Sequence, residues 1–185
     1  MSKAQLQAAE AFARTVIFAF HKHAGQTRKD QQRTPYMIHP LRVTEYLRRL
    51  AGERDENVLL AAVLHDTLED TRTSRQEITK LTNADVTRLV IELTNDTNLP
   101  KKERRAKMIA HIPELSRRAK RIKLADRLDN VRDLVAGGAK DREKRTRYLK
   151  ETEAILKGCA GACPPIEKEL KKAFGELEKL VEKLR

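Results

Sequence analysis

Apolar residues in this chain recur with the period of a helix almost from end to end, and no segment sustains an alternation of apolar and polar residues. Residues three and four apart share a helix face, whereas a half-buried strand alternates with period two, so the pattern restricts the chain to an all-α fold. A first helix is expected over about residues 3–24, with Phe12, Val16, Ala19 and Phe20 on one face and Gly25 at its end. The polar loop "QTRKDQQRTPYMIHP" follows, with Pro35 and Pro40 as breakers. A helix from Leu41 stops near Gly52, and another runs from about Glu56 through His65. In "TSRQEI", Ser74 followed three residues later by Glu77 resembles a capping box. Further helices are expected at about 84–94, 101–111, 115–136 and 141–158. "CPP" then breaks the chain before an amphipathic helix whose stripe is Ile166, Leu170, Phe174, Leu177, Val181 and Leu184. The expected architecture is one compact multi-helix bundle over residues 1–160, with a C-terminal helix over 161–185 that docks on it or pairs with another subunit.

A length of 185 residues is enough to bury a real core, so no disulfide or metal is needed merely to hold the chain folded. Trp is absent and aromatic residues make up only 4%, which argues against base stacking on several aromatic platforms. Apolar runs fall far short of the roughly 20 residues that span a bilayer. The N-terminal stretch is interrupted by Glu10 and Arg14 and lacks a small-residue cleavage site, so no signal peptide is read and the cytoplasm is the expected location. There Cys159 and Cys163 are expected as reduced thiols, and a Cys-x3-Cys pair without a second pair or a nearby His is a weak zinc signal. The formal charge of +12 is spread over clusters such as "KKERRAK" and "SRRAKRIK". Such an excess fits nucleic acid, an anionic membrane surface or a small polyanionic substrate, and equally a set of solvated helix faces.

The chemistry concentrates in "AAVLHDTLEDTRT", where an apolar helix runs into His65, Asp66, Glu69 and Asp70. On a continuous helix His65 stands above Glu69 and Asp66 above Asp70. Two carboxylates so close repel one another unless a cation or basic residue neutralises them, and an adjacent imidazole favours a transition metal over an all-oxygen site. His39, at the loop-to-helix junction "PYMIHP", and Asp126, in "IKLADRLDN", would complete a site of two nitrogens and at least two oxygens, with Asn130 on the same helix face as Asp126. The plainer alternative is a charge cluster at a helix C-terminus with Arg72 and Arg75 nearby, although acidic groups there oppose the helix dipole.

"HDTLEDT", with "RKDQQRTPYMIHPLRV" upstream and "KLADRLDNVRDL" downstream, resembles the hydrolase domain of the RelA/SpoT family, part of the HD phosphohydrolase superfamily. "LTNDTNLPKKERR" also looks like that family, and the resemblance runs from about Ala8 to about Lys157. There is no room for the synthetase and regulatory domains of the long members, so the chain looks like a small stand-alone alarmone hydrolase, similar to the metazoan SpoT homologues. The resemblance implies an all-α HD-domain bundle and Mn2+ bound by His39, His65, Asp66 and Asp126. It implies that Glu69 and Asp70 position or deprotonate the attacking water, that Arg28 and Lys29 contact the nucleotide and its phosphates, and that Asn130 contacts the ribose. Asp133 falls near the guanine position, and Lys144 with Tyr148 matches a basic-x3-Tyr pattern beside the phosphates. The implied reaction is hydrolysis of the 3′-pyrophosphate of (p)ppGpp to GDP or GTP and pyrophosphate.

Rival readings keep the site and change the substrate, as another nucleotide phosphohydrolase or an NADPH phosphatase, or abandon turnover for an alarmone- or nucleic-acid-binding module. A water-activating acidic pair argues against pure binding. No membrane partner is expected, and the favoured partner is a small guanine nucleotide, with self-association through the C-terminal helix open. His21, His23 and His111 are read as helix-end residues, and Met37 as core or rim.

Overall fold

The computed structural model describes residues 2–30, 32–137 and 141–183, and among them the chain is helical without a strand, apart from an isolated bridge between Thr27 and Pro35. Helix α1 spans Lys3–Lys22, α2 Ile38–Arg49, α3 Glu56–Leu64, α4 Thr67–Asp70, α5 Arg75–Leu81 and α6 Ala84–Leu93. Helix α7 spans Lys101–His111, a 3₁₀ turn Ile112–Glu114, α8 Arg117–Val135, α9 Arg142–Gly158 and α10 Pro164–Glu182.

The starts are written in short polar side chains that accept from otherwise unpaired backbone N–H groups. Ser2 and Ser74 form capping boxes with Gln5 and Glu77, and Asp55, Asn83, Ser116 and Asp141 cap α3, α6, α8 and α9. Two boundaries differ from the sequence reading. Helix α2 begins at Ile38, so Pro40 lies inside its first turn, where a missing N–H costs nothing. Helix α3 ends at Leu64, so His65 and Asp66 stand in a turn before α4 and not on one continuous helix. A backbone bond from the Asp70 N–H to the Asp66 carbonyl, 2.8 Å long, keeps the second pair in register across that turn.

Helix α3 is apolar on all sides, with Val58 and Leu60 through Leu64 buried, and accordingly runs through the middle of the bundle against α1, α2, α6 and α8. Helix α8 is the second central element, burying Ile122, Leu124, Leu128 and Val131 and carrying α10 on its outer side. Ile166, Leu170, Leu177 and Val181 of the C-terminal stripe are buried against α8 and α9 and Phe174 is half-buried, while Leu184 lies outside the described residues. Each such burial is worth about 1.5–3 kcal/mol before entropy, so α10 is held as part of the bundle. Helix α1 sits differently from its expected face: Thr15 and Ala19 are buried, Phe12 and Val16 half-buried, and Phe20 is 56% exposed. The small Ala19 lets α1 approach α3 closely, and the larger Phe20 turns outward. Both cysteines are buried and unbridged, and burial pushes the Cys159 thiol up to about 11. No described helix is long and apolar enough to cross a membrane.

Candidate active site

Three central elements aim side chains at one point. The first turn of α2 brings His39, the α3–α4 turn brings His65 and Asp66, and the middle of α8 brings Asp126. His39 Nε2 lies 3.5 Å from Asp66 Oδ2 and 3.3 Å from Asp126 Oδ1, and His65 Nε2 lies 3.1 and 3.9 Å from the same two oxygens. Donor atoms of His39, His65 and Asp126 all fall within 4.8 Å of one another. The turn after Leu64 makes this convergence possible, because it lets His65 and Asp66 face the same centre although they are neighbours in sequence.

The second nitrogen of each ring is fixed. His65 Nδ1 donates to the Ala62 carbonyl at 2.7 Å, and a carbonyl only accepts, so in the neutral ring the lone pair is on Nε2. That buried Nε2 has no hydrogen-bond partner among the described residues and points into the cluster. His39 Nδ1 donates to Asp129 Oδ2 at 2.7 Å, which presents Nε2 in the same way. An outer partner that orients the coordinating nitrogen is the usual support of a metal-bound histidine. The carboxyls are prepared too. Burial alone would raise Asp66 and Asp126, but the imidazoles, and Lys123 for Asp126, hold both well below the usual range. The cluster draws positive charge beyond that of Lys123, 3.3 Å from Asp126 Oδ2: burial opposes protonation of His39, yet Asp126 and Asp129 prevail and raise it to about 9. Two imidazole nitrogens that can exchange a proton for a metal, with two ionised carboxylates, fit a divalent cation.

At this floor lies a pocket of about 240 Å³, beside an open cavity of about 920 Å³ with which it shares the walls Tyr36, Glu69, Asn95, Lys123, Asn130 and Tyr148. Glu69 stands at the junction, its Oε2 accepting from the Asn95 backbone N–H at 3.0 Å and side-chain amide at 2.9 Å. Asp70 lines the larger cavity, and burial with the charges of Asp66 and Glu69 raises its carboxyl to about 6. The larger cavity is strongly cationic, with Lys29, Lys101, Arg104, Arg105, Lys144 and Arg147 on its walls. Partial burial lowers the Lys144 ammonium, and neighbouring Lys29, Arg147 and Arg28 lower it further.

The structure brings all twelve sequence-derived site residues to these two cavities. Arg28 and Asp133 face one another: Arg28 Nε donates to Asp133 Oδ2 at 2.9 Å, and Nη2 donates to Asn130 Oδ1 at 3.1 Å. Asn130 donates back to Asp126 Oδ1 at 2.5 Å, so it links the floor to Arg28. Tyr148 is stacked by Arg127, whose guanidinium lies 4.8 Å from the ring centre, and Lys144 lies 5.8 Å from it on α9.

Several residues were missed. Tyr36 donates its hydroxyl to Asp66 and stacks on His23, ring centres 4.8 Å apart. His23 ends α1 as expected, but its ring is buried, and its partner Gln26 donates to the Asp70 carbonyl at 2.8 Å. Asp129 was visible only as an acid three residues beyond Asp126, hence on the same side of α8. The cluster "KKERRAK", read as a basic surface, supplies Lys101, Arg104 and Arg105 to the cavity.

An all-helical bundle with His and Asp side chains converging on a buried metal-type cluster beneath a cationic cavity defines a metal-dependent hydrolase of the HD type. A family model described as HD domain matches residues 15–162, and the chain belongs to that family. Among curated relatives it is 42% identical to the mouse guanosine-3′,5′-bis(diphosphate) 3′-pyrophosphohydrolase MESH1, over 86% of this chain and 90% of the mouse protein. It is 39% identical to the Drosophila melanogaster MESH1, over 88% of this chain and 92% of that protein. A solved structure of a metazoan ortholog of SpoT that hydrolyses ppGpp superposes with a TM-score of 0.85 at 39% identity, covering 89% of this chain and 94% of that one. The chain is thus a small RelA/SpoT-type HD protein, similar to the stand-alone metazoan forms.

Proposed function

We propose that this protein is a guanosine-3′,5′-bis(diphosphate) 3′-pyrophosphohydrolase, converting (p)ppGpp to GDP or GTP and pyrophosphate. The observation that carries this reading is the buried acidic floor lying against a cavity walled by lysines and arginines, a match to a nucleotide with phosphates at both ends. The named activity of relatives that align over nearly their whole length supports the same substrate. His39, His65, Asp66 and Asp126 would hold the cation, with Mn2+ as the proposed ion. When bound, such an ion acidifies water and polarises a phosphoryl oxygen.

This chain's residues supply the rest. Glu69, pinned by Asn95, positions the attacking water, and Asp70 takes its proton, a task suited to a carboxyl raised to about 6. The water oxygen joins the phosphorus next to the ribose, the bond from that phosphorus to the 3′ oxygen breaks, and the 3′ oxygen leaves with a proton. Lys29, Lys144 and the arginines of the wall hold the phosphates and offset the negative charge that builds on them. Tyr148 and Asn130 line the junction where the ribose would pass, and the Arg28–Asp133 pair, with donor and acceptor groups side by side, stands at the base end. Action on a soluble alarmone fits the cytoplasm and a role in the stringent response.

The test is release of pyrophosphate from ppGpp with added Mn2+, beside Asp66→Ala. GDP and pyrophosphate are expected, with loss of at least about 10³-fold in the variant, since the metal contributes several kcal/mol. A protein that binds Mn2+ yet turns over only another nucleotide, such as NADPH, would overturn the substrate and leave the site standing.

A further inference from the structure

The largest apolar side chains exposed among the described residues are Leu6 at 48%, Ile17 at 57% and Phe20 at 56%, and all three lie on α1. At about 100° per residue they fall with the exposed Ala9 and Ala13 inside an arc of about 80°, well away from the buried Thr15 and Ala19. A continuous apolar stripe on an otherwise charged surface marks an interaction face. The comparable stripe of α10 is already covered by α8 and α9, so it is not the free one.

The geometry points to a second copy of this chain as the occupant, seated antiparallel on α1 about a twofold axis at Ala13. In that register Leu6 of one copy meets Phe20 of the other and Ala9 meets Ile17. The two Ala13 side chains meet at the centre, where small residues let the backbones approach. Each large side chain therefore faces the other copy's small or complementary one. Charge supports the same arrangement. Glu10 and Arg14 share one flank of the stripe, and neither makes a side-chain ion pair or hydrogen bond among the described residues. An antiparallel twofold apposes like flanks, which brings each Glu10 to the other copy's Arg14 in two symmetric pairs. A parallel pair would set that flank against the one carrying Gln5 and Val16 and leave both charges unmatched.

A helix of 20 residues is about 30 Å long, so the interface falls below about 1,200 Å² and the dimer is expected in the micromolar range. Sedimentation of the whole protein from about 1 to 100 μM, on either side of such a dissociation constant, tests it. A concentration-dependent dimer is expected, and Phe20→Glu weakens it by at least about tenfold with an unchanged melting temperature, because the side chain is exposed. Glu10→Arg and Arg14→Glu each weaken it by about fivefold, and the double exchange Glu10→Arg/Arg14→Glu restores it. A monomer throughout the range would overturn the proposal. So would a dimer indifferent to Phe20→Glu, a double exchange weaker than either single one, or a monomer that binds phosphatidylserine vesicles.

Discussion

His39 and Lys144 belong to the same cavity system but are held by opposite means. His39 is 1% exposed, and both ring nitrogens are spoken for: Nδ1 by Asp129 at 2.7 Å, Nε2 by the cluster of Asp66 and Asp126. Lys144 sits on α9 at the cavity wall with its ammonium over the Tyr148 ring and other cations as its nearest charges. The floor is preorganised, so its charges need no rearrangement when the reaction develops new charge, which is where electrostatic stabilisation is largest. At the rim Arg105 and Arg147 share Glu151 at 3.8 Å and Arg104 lies 4.0 Å from Glu69, while Lys29, Lys101 and Lys144 make no ion pair among the described residues and gain a partner when an anion enters. A change at the floor should therefore appear in kcat and in metal affinity, and a change at the rim in KM and in salt dependence.

The largest effect expected in this comparison is at Asp70. Asp70→Asn should lower kcat by about 10²–10⁴-fold, the usual contribution of a positioned base, with little change in Mn2+ affinity. The base works as the carboxylate, so activity in the parent protein should fall as pH drops through the Asp70 pKa. That value is about 6 from burial and the charges of Asp66 and Glu69, and a bound cation moves it lower. The acid limb of kcat against pH should therefore lie at or below about pH 6 and disappear in the variant. A limb that persists unchanged would assign the proton to another group.

Asp129 tests the floor one layer out. Its carboxylate accepts from His39 at 2.7 Å and from the Tyr46 hydroxyl at 3.3 Å, and lies 3.6 Å from Arg28 Nη2. Asp129→Asn should weaken Mn2+ binding by about 10–100-fold in a calorimetric titration, with activity partly recovered at high Mn2+. An unchanged affinity would mean that the α2 backbone alone fixes the ring.

The same contrast governs what could be read from the sequence. The helical period gave the fold class, and the quoted blocks gave the four residues that converge on the floor, because two of them are adjacent in "HDTLEDT" and the others stand in short distinctive stretches. The local geometry was less legible. His65 and Glu69 look stacked on one helix, but α3 ends at Leu64, and only tertiary packing reveals the turn. Pro40 was read as a breaker, although a first helical turn accommodates proline, so His39 belongs to α2. Phe20 fits a core stripe by type, yet the small Ala19 occupies the contact. The rim was least legible. Helix α7 buries no residue and reads as a solvated face, and nothing local tells that its Lys101, Arg104 and Arg105 line the same cavity as Lys144 and Arg147 of α9. Their partners are remote in sequence, and charge carries no spacing rule.

The smallest effect is expected at that rim. Lys144 is partly buried among like charges, so its removal relieves repulsion in the free protein while withdrawing one cation from the bound phosphates. These tendencies oppose one another, which limits the net loss to about 1 kcal/mol, or roughly fivefold. Lys144→Ala should accordingly raise KM by about threefold to tenfold, leave kcat nearly unchanged and flatten the dependence of kcat/KM on ionic strength, since fewer charges then steer the polyanion. A fall in kcat larger than the rise in KM would place Lys144 on the transition state and move it from the rim to the floor. An unchanged salt slope would mean that capture is governed by Lys29, Lys101 and the arginines, whose field would then suffice without α9.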